Sequence, residues 1–313
     1  MTVAGTKPQT RKAAYAAREN WVGWLFALPA ALGFLLFTLG PMVASLFYGF
    51  TDLTISGKWG FIGFENYARM FSGRDNYFYK ALWMTTQYVL MSVPMKIIYA
   101  FLLAMALNQP VRGKSVFRTI FYLPTIVPTV AISMIWLWLL NPDFGLINQV
   151  LRGIGLNTKG LKWIYDKRSV IPSLSLMSMW TTGGITVVFL AGLQDVPKHL
   201  YEATSLDGGG AWARFRHVTL PMMSPTLFFN LCTTLIGSFQ VFSEAYIMTN
   251  GGPDNASLFY VFYLYREAFS FTRMGSACAI AWVLFIIIMA VTMLVFKTSD
   301  LWVFYQAGEG GKA

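Results

Sequence analysis

The sequence predicts an all-α integral membrane protein with six transmembrane helices. Of its 313 residues, 56% are hydrophobic and only 12% carry a formal charge. Charged residues make up about 25% of a typical soluble domain, so this chain could not cover the surface of a soluble fold. Open sheet edges cannot lie in lipid, and we therefore expect each long apolar stretch to be a helix.

Six stretches reach the roughly 20 apolar residues that a helix needs to cross the hydrocarbon layer. They span residues 21–50, 81–108, 115–140, 169–193, 218–249 and 274–296. We expect residues 1–20 to form a polar tail, residues 21–297 a six-helix domain, and residues 298–313 a second tail. An even number of spans places both tails on one side of the membrane.

The basic residues bear on orientation and on partners. The net charge is +10, yet no basic run with interleaved aromatic residues lies outside the apolar stretches, so we expect no nucleic-acid partner. Four Lys and Arg residues precede the first span, and three more lie in the short loop at 108–118. The positive-inside rule weighs these two regions most, which favours both termini in the cytoplasm, although the totals on the two sides hardly differ.

The sequence offers no metal, nucleotide or catalytic motif. Cys232 and Cys278 both fall in apolar stretches, without disulfide or metal-ligand spacing, and we expect inert buried thiols. Gly113-Lys114-Ser115 resembles the end of a P-loop, but Asn108 stands where that motif needs glycine. We expect no cofactor, no metal and no enzymatic activity, and place any ATP hydrolysis in a separate subunit.

The longest polar interruption in the second half of the chain is the loop at 197–221. Pro197 suits the first position of a helix and Gly208 the residue after its end, which predicts a short helix over 198–207. A second amphipathic piece follows, with Trp212 and Phe215 on one face. Such a unit could insert into the groove of a partner protein, or it could lie on the lipid surface.

Several motifs, taken together, resemble one family. Glu202-Ala203-Thr204, followed by Gly208 and by VTLP at 218–221, closely resembles the EAA loop of permease subunits of binding-protein-dependent ABC importers. GFENY at 63–67 and TNGGP at 249–253 extend the resemblance over nearly the whole chain, and the wording is similar to the carbohydrate-uptake branch. Thr204 departs from the usual second alanine, Val218 from isoleucine, and Gly209 from alanine or serine.

The resemblance implies a function and a set of partners. It implies the transmembrane subunit of a bacterial ATP-driven importer for a sugar or oligosaccharide, located in the cytoplasmic membrane. Its partners would be a second, homologous permease subunit, two copies of an ATPase subunit and an extracytoplasmic solute-binding protein. We call residues 197–221 the coupling loop, since the resemblance implies that ATPase contact is made by Glu202, Ala203, Asp207, Gly208 and Pro221.

The fourth and fifth predicted spans offer candidates for contact with a saccharide. Trp180 and Thr181 lie in one, and Ser238 and Gln240 in the other. Aromatic rings stack on the apolar faces of sugars, and hydroxyl and amide groups bind their edges, so we predict these four residues along the substrate pathway. The alternative is aromatic packing between helices, with each hydroxyl bonded to its own backbone.

Two ionisable residues, Lys96 and Glu244, lie well inside predicted spans. Such residues usually face protein or water, because burying a charge in lipid is costly. Both could line a polar pathway, or they could form a buried pair or contact another subunit. We include Glu244 in the predicted pathway and favour the structural role for Lys96.

Two other function classes remain as alternatives. A stand-alone carrier driven by an ion gradient would have acidic residues deep in several spans, and only Glu244 is found. A membrane-embedded enzyme would need clustered His, Asp or Glu at the membrane face, and His199 and His217 lack such neighbours in the sequence. Neither class explains the coupling loop. Whether the saccharide is neutral or acidic stays open.

Overall fold

The computed structural model describes residues 9–110, 112–158 and 160–304. Within these ranges the chain is helical, and its two β-bridges are isolated. The α-helices are α1 Gln9–Phe34, α2 Gly40–Tyr48, α3 Glu65–Phe71, α4 Phe78–Asn108, α5 Lys114–Ile126, α6 Thr129–Leu139, α7 Leu146–Gly153, α8 Val170–Met179, α9 Gly183–Asp195, α10 Lys198–Leu206, α11 Ala211–Arg214, α12 Leu220–Met222, α13 Ser224–Phe239, α14 Tyr260–Tyr265 and α15 Met274–Ser299.

The helices provide up to six candidate membrane spans among the described residues, as the sequence predicts. Trp21–Tyr48, α4 and α15 are each long and apolar enough to cross a bilayer alone. Three further candidates are bent pairs: α5 with α6 at 101°, α8 with α9 at 49°, and Ala211–Met222 with α13 at 62°. Three of the six spans are therefore broken, which apolar content alone does not reveal.

Prolines account for two of the bends. Val127 and Pro128 separate α5 from α6 in extended conformation, because proline lacks an N–H and disfavours helix at the preceding residue. Pro225 similarly lies in the first turn of α13, just after the bend at Met223. The prediction of one continuous helix over 218–249 was wrong, since α13 ends at Phe239 and the chain resumes as a π-helical turn at Ala245–Thr249. These segments are uniformly hydrophobic, so their hydropathy does not indicate where the helices break.

Helix α4 lies at the centre of the molecule, where it packs against α8, α9 and α13. One buried cluster surrounds its first half and includes Tyr88 and Val93. A second cluster surrounds its last half, where Ala100 and Ala104 are fully buried against Phe189 of α9. Small residues such as these let helices approach closely in a membrane. Because α4 contributes to both buried clusters, it connects the two ends of the bundle.

The first candidate span packs very little against the remainder of the described chain. None of its most apolar 18-residue window is buried, and the side chains of Phe26 and Phe37 are 81% and 82% exposed. Its α2 portion contacts α15, where the indole of Trp282 donates a hydrogen bond to the Ser45 hydroxyl at 3.1 Å. Most of this helix is thus free to contact lipid or another subunit.

Candidate functional site

The coupling loop folds as the sequence predicts, to within one residue. Pro197 precedes α10, which ends at Leu206, and Gly208 follows with a φ of +79°. That φ lies in the left-handed region, which glycine adopts without a steric penalty. A second helical piece then runs from Ala211 to Met222 and includes Pro221, ahead of the bend into α13.

One face of the coupling loop is fixed to the bundle. Leu200, Tyr201 and Phe215 pack against the second buried cluster, below the ends of α4 and α9. The Tyr201 and Thr219 hydroxyls are hydrogen-bonded at 3.1 Å, which joins α10 to the helical piece after it. Because both pieces rest on the same cluster, a displacement of the loop would be transmitted to α4 and α9.

The other face of the loop is exposed. Glu202, Ala203 and Asp207 are all exposed, and the same loop exposes two large apolar side chains. Leu206 is 89% exposed and Trp212 is 68% exposed, with the Trp212 ring stacked on Phe215 at 5.5 Å. Exposed aromatic and aliphatic residues within a charged rim are typical of a surface that binds another protein.

Two departures from the family pattern contact each other in the loop. A Cβ atom added at Gly209 would lie 2.7 Å from the Thr204 Cγ2 methyl and 2.7 Å from the Thr204 carbonyl oxygen. The Thr204 hydroxyl donates a hydrogen bond to the Leu200 carbonyl at 2.9 Å, within the turn that precedes it. The Thr204 methyl and the Thr204 carbonyl oxygen together leave little space for a side chain at 209.

A polar cavity of about 370 Å³ lies between the middle of α4, the break between α8 and α9, and α13. This volume falls within the range of about 300–1,000 Å³ that is usual for small-molecule sites. The structure brings together here two residues predicted for the substrate pathway, Thr181 and Ser238. The complete lining is Lys96, Ser178, Thr181, Thr182, Ile185, Thr233, Thr234, Gly237 and Ser238.

Most of the cavity hydroxyls donate hydrogen bonds within their own helices. The Ser178 hydroxyl donates to the Ser175 carbonyl, the Thr181 hydroxyl to that of Ser178, the Thr182 hydroxyl to that of Met179, and the Thr233 hydroxyl to that of Phe229. The donor–acceptor distances are 2.7–3.0 Å. This is the backbone bonding expected of hydroxyls in apolar helices. Thr234 and Ser238 differ, since both are buried and their oxygens have no hydrogen-bond partner in the described chain.

The structure places the other predicted pathway residues outside this cavity. Trp180 is 40% exposed and packs edge-on against Trp136, with ring centroids 6.0 Å apart. Gln240 is exposed and lines a separate, largely apolar groove of about 580 Å³ between α13 and α15. Glu244 is partly buried next to the π-helical turn that follows α13.

Sequence reasoning missed several residues of the cavity. It did not select Ser178, Thr182, Thr233 or Thr234, and it favoured a structural role for Lys96. The spacing of these residues in the sequence could have identified them, because Ser178, Thr181 and Thr182 lie within about one helical turn, as do Thr234 and Ser238. Cys232 and Cys278 are free thiols, one buried and one partly buried. Among the described residues, no group of three His, Cys, Asp or Glu could hold a metal ion.

Comparison with known proteins gives relatives over nearly the full length. The chain is 40% identical over 297 residues to the "Probable ABC transporter permease protein YesP" of Bacillus subtilis, covering 93% of this chain and 94% of that protein. It is 34% identical over 293 residues to the "Lactose transport system permease protein LacF" of Rhizobium radiobacter, covering 92% and 94%. It is 30% identical over 285 residues to the "Trehalose/maltose transport system permease protein MalF" of Thermococcus litoralis, covering 90% and 94%.

A solved structure shares the fold. A chain of the bacterial alginate ABC transporter, in complex with an alginate-bound periplasmic protein, superimposes with a TM-score of 0.80 at 22% identity, covering 92% of this chain and 96% of that one. The family model described as "Binding-protein-dependent transport system inner membrane component" matches residues 97–303, which include the coupling loop and every cavity-lining residue except Lys96. The chain therefore belongs to the family of inner membrane components of binding-protein-dependent transport systems.

Proposed function

We propose that this chain is one transmembrane subunit of a bacterial ATP-driven importer for a sugar or oligosaccharide. The coupling loop lies in the cytoplasm, together with both termini, and docks into an ATPase subunit through Glu202, Ala203, Asp207 and Gly208. The observation that carries this proposal is the two-sided loop, with one face packed on the bundle and the other exposing apolar side chains among charges. Relatives whose names include lactose, trehalose and maltose support a saccharide substrate.

Alternating access follows from the same geometry. Closure of the ATPase pair would move α10 and, through Leu200, Tyr201 and Phe215, the ends of α4 and α9. These two helices also border the cavity, so a rigid-body shift at the loop would change the cavity opening, as in transporters with a site near the membrane midplane. Hydrolysis of ATP belongs to the ATPase subunits, which we place at two copies per importer.

A second, homologous permease subunit completes the pathway in this proposal. Its support is the first candidate span, whose most apolar window has no buried residue in the described chain. The cavity is also bordered by only part of a helix bundle, and a facing subunit would close its remaining side. A solute-binding protein would deliver the saccharide at the end opposite the coupling loop.

The test is isolation of the tagged protein from its own host in mild detergent, with mass spectrometry of the proteins that accompany it. We expect a homologous permease and an ATPase to co-purify from the parent strain. Glu202→Ala together with Gly208→Val should lose the ATPase, or retain it without stimulated hydrolysis. A protein that purifies alone, and whose variant imports as well as the parent, would contradict the proposal and favour a carrier driven by an ion gradient.

Two threonines provide a matched test of whether the cavity lies on the substrate pathway. Thr181 lines the cavity and Thr186 does not, but each donates a hydrogen bond of 3.0 Å to a carbonyl in the preceding turn of the chain. We expect Thr181→Val to raise the KM of uptake several-fold, which corresponds to the roughly 0.5–1.5 kcal/mol of one hydrogen bond. Thr186→Val should leave KM unchanged, and equal effects at both positions would contradict the assignment.

A further inference from the structure

Lys96 carries a charge to the centre of the bundle without a carboxylate beside it. It lies near the middle of α4, and none of the ion pairs of the described chain includes it. Its ammonium lies 5.9 Å from the centre of the Tyr88 ring, over the ring face. Glu244 is near enough to interact through space, but it does not line the cavity that Lys96 faces.

The rest of the cavity lining cannot neutralise this charge. No Asp or Glu is among the lining residues. Four of the six hydroxyls use their protons within their own helices, so they present only lone pairs to a ligand. The Lys96 ammonium has three N–H donors and no acceptor, and it is the strongest donor in this lining.

Thr234 and Ser238 add two unpaired hydroxyls to the cavity lining. Thr234 is 8% exposed, Ser238 is 2% exposed, and neither hydroxyl oxygen has a hydrogen-bond partner in the described chain. Their protons are therefore not used within the helix, unlike those of the other four hydroxyls. Both residues lie on α13, across the cavity from Lys96 of α4.

We propose that Lys96 binds an anionic group of the transported saccharide, and hence that the substrate is an acidic sugar or oligosaccharide. The inference rests on the proposed function, because it requires the cavity to lie on the translocation pathway. A carboxylate, sulfate or phosphate would form charge-assisted hydrogen bonds with the ammonium, which are shorter and stronger than neutral ones. The sugar hydroxyls would donate to the lone pairs of Ser178, Thr181 and Thr182.

The first experiment measures whether Lys96 presents its charge to the cavity. The complete importer is purified with Cys232→Ser, Cys278→Ser and the reporter Thr181→Cys. The reporter is reacted with an anionic reagent, sulfonatoethyl methanethiosulfonate, and a cationic one, trimethylammonioethyl methanethiosulfonate. Adding Lys96→Met should lower the ratio of anionic to cationic reaction rates at least about tenfold, since the ammonium attracts the anionic reagent and repels the cationic one.

Two control variants define the outcome. Lys96→Arg keeps the positive charge and should keep the ratio. Glu244→Gln removes a charge outside the cavity lining, and it should not lower the ratio. An unchanged ratio in the Lys96→Met variant would overturn the inference. A reporter that reacts with neither reagent, in an importer that still transports, would overturn both the inference and the assignment of the cavity to the pathway.

The second experiment determines the substrate class in the host. Uptake is compared for disaccharides in matched acidic and neutral forms: galacturonate against galactose, glucuronate against glucose, and sulfated against unsulfated N-acetylglucosamine. We expect uptake of an acidic member, reduced at least tenfold by Lys96→Met and less by Lys96→Arg. Uptake of neutral members alone would overturn the inference and leave the importer function intact. The proposed function would fail instead if the Glu202 and Gly208 variants imported as well as the parent.

Discussion

Charged residues are arranged differently at the two ends of the helix bundle. At the coupling-loop end, four charged side chains are exposed and belong to none of the ion pairs of the described chain: Glu202, Asp207, Arg214 and Arg216. At the opposite end, which comprises residues 51–80, 141–168 and 250–273, some of the charged groups pair with one another. All three ion pairs found in the described chain lie there, between Arg69 and Glu267, Arg273 and Glu267, and Lys167 and Asp254.

We expect this difference to bear on how the ATPase binds the coupling loop. The opposite end satisfies many of its polar groups internally, as where the Asn66 amide donates to the Gly49 and Thr51 carbonyls at 3.0 and 2.8 Å. Both ends expose large apolar side chains, but those of the coupling loop, Leu206 and Trp212, lie in a segment whose charges are unpaired within the described chain. Burying an apolar side chain of this size contributes about 1.5–3 kcal/mol, so a partner that covers Leu206 and Trp212 gains much of its affinity there.

The largest expected effect is on association with the ATPase. Leu206→Asp places a charge where we expect a desolvated apolar contact, and burying an unpaired charge is strongly unfavourable. We therefore expect the affinity of the ATPase for the permease complex to fall at least about thirtyfold, because a central contact residue contributes about 2 kcal/mol or more. Binding would be measured with the purified ATPase and the permease complex in nanodiscs.

An exposed leucine at the opposite end serves as the control. Leu156 is 54% exposed in the segment at 141–168, so Leu156→Asp makes the same chemical change far from the coupling loop. We expect this variant to bind the ATPase as the parent does. Equal losses in both variants would mean that the charge acts through general instability, and the contrast between the two ends would then not concern docking.

The second prediction concerns the packing inside the coupling loop. Gly209→Ala would put a methyl group 2.7 Å from two Thr204 atoms, and overpacking of this kind typically costs about 1–3 kcal/mol. Thr204→Ala removes one of those atoms, so the double variant should regain part of the lost stability. A double-mutant cycle on thermal unfolding of the purified complex would measure the coupling. Strict additivity would show that these two residues do not constrain each other.

The sequence predicts the coupling loop well because its determinants are local. Pro197, the spacing of apolar residues along α10, and Gly208 all act within a dozen positions, and a helix with such boundaries can be recognised without tertiary information. The six apolar stretches are equally local, because hydrophobicity and length determine whether a helix can cross a membrane. Both predictions therefore agree with the structure, apart from the breaks within three of the spans.

The cavity could be predicted only in part because it depends on breaks in helices far apart in sequence. Thr181 and Ser238 were selected from chemistry and do line it, whereas Trp180 and Gln240 were selected by the same reasoning and do not. Which side of α13 faces α4 depends on the bend at Met223 and on the end of the helix at Phe239, and hydropathy marks neither. For the same reason, hydropathy did not show that Lys96 faces the cavity.

A smaller effect is expected at the buried charge of the opposite end. The Glu267 side chain is 3% exposed, and its carboxylate lies 3.6 Å from the guanidinium nitrogens of both Arg69 and Arg273. Glu267→Gln leaves the two arginines without a shared anion. The arginines are partly exposed and screened by water, so we expect a loss of only about 1–2 kcal/mol in unfolding free energy. Glu65→Gln, at an exposed position of α3, should change it by less than about 0.5 kcal/mol.

The measurement for Glu267 is thermal unfolding of the purified complex, with ATPase binding measured in parallel. We expect Glu267→Gln to unfold at a lower temperature and to bind the ATPase as the parent does, because the two ends are separate in function. A variant of unchanged stability would mean that water already satisfies the two arginines. Weaker ATPase binding would mean that packing at the opposite end influences the coupling loop.

The smallest effect is expected for the exposed pair of Lys167 and Asp254. The hydrogen bond from Lys167 and its positive charge hold the pKa of the Asp254 carboxyl below its ordinary value of 3.8. A carboxyl whose pKa is lowered by folding stabilises the protein above its ordinary pKa, and the contribution is lost as pH falls through the lower, folded value. It is therefore constant between pH 5 and pH 8, and because both side chains are more than half exposed we expect it to be small.

Lys167→Met should consequently unfold at a slightly lower temperature than the parent throughout pH 5–8, and this small difference should disappear as pH falls below about 4, where the carboxyl becomes protonated in both proteins. Melting curves of the two proteins from pH 3.5 to pH 8, in low and high salt, would test this. A loss at pH 7 as large as that of Glu267→Gln would show that this exposed pair holds the segments at 141–168 and 250–273 together. The opposite end would then depend on its surface charges as much as on its buried one.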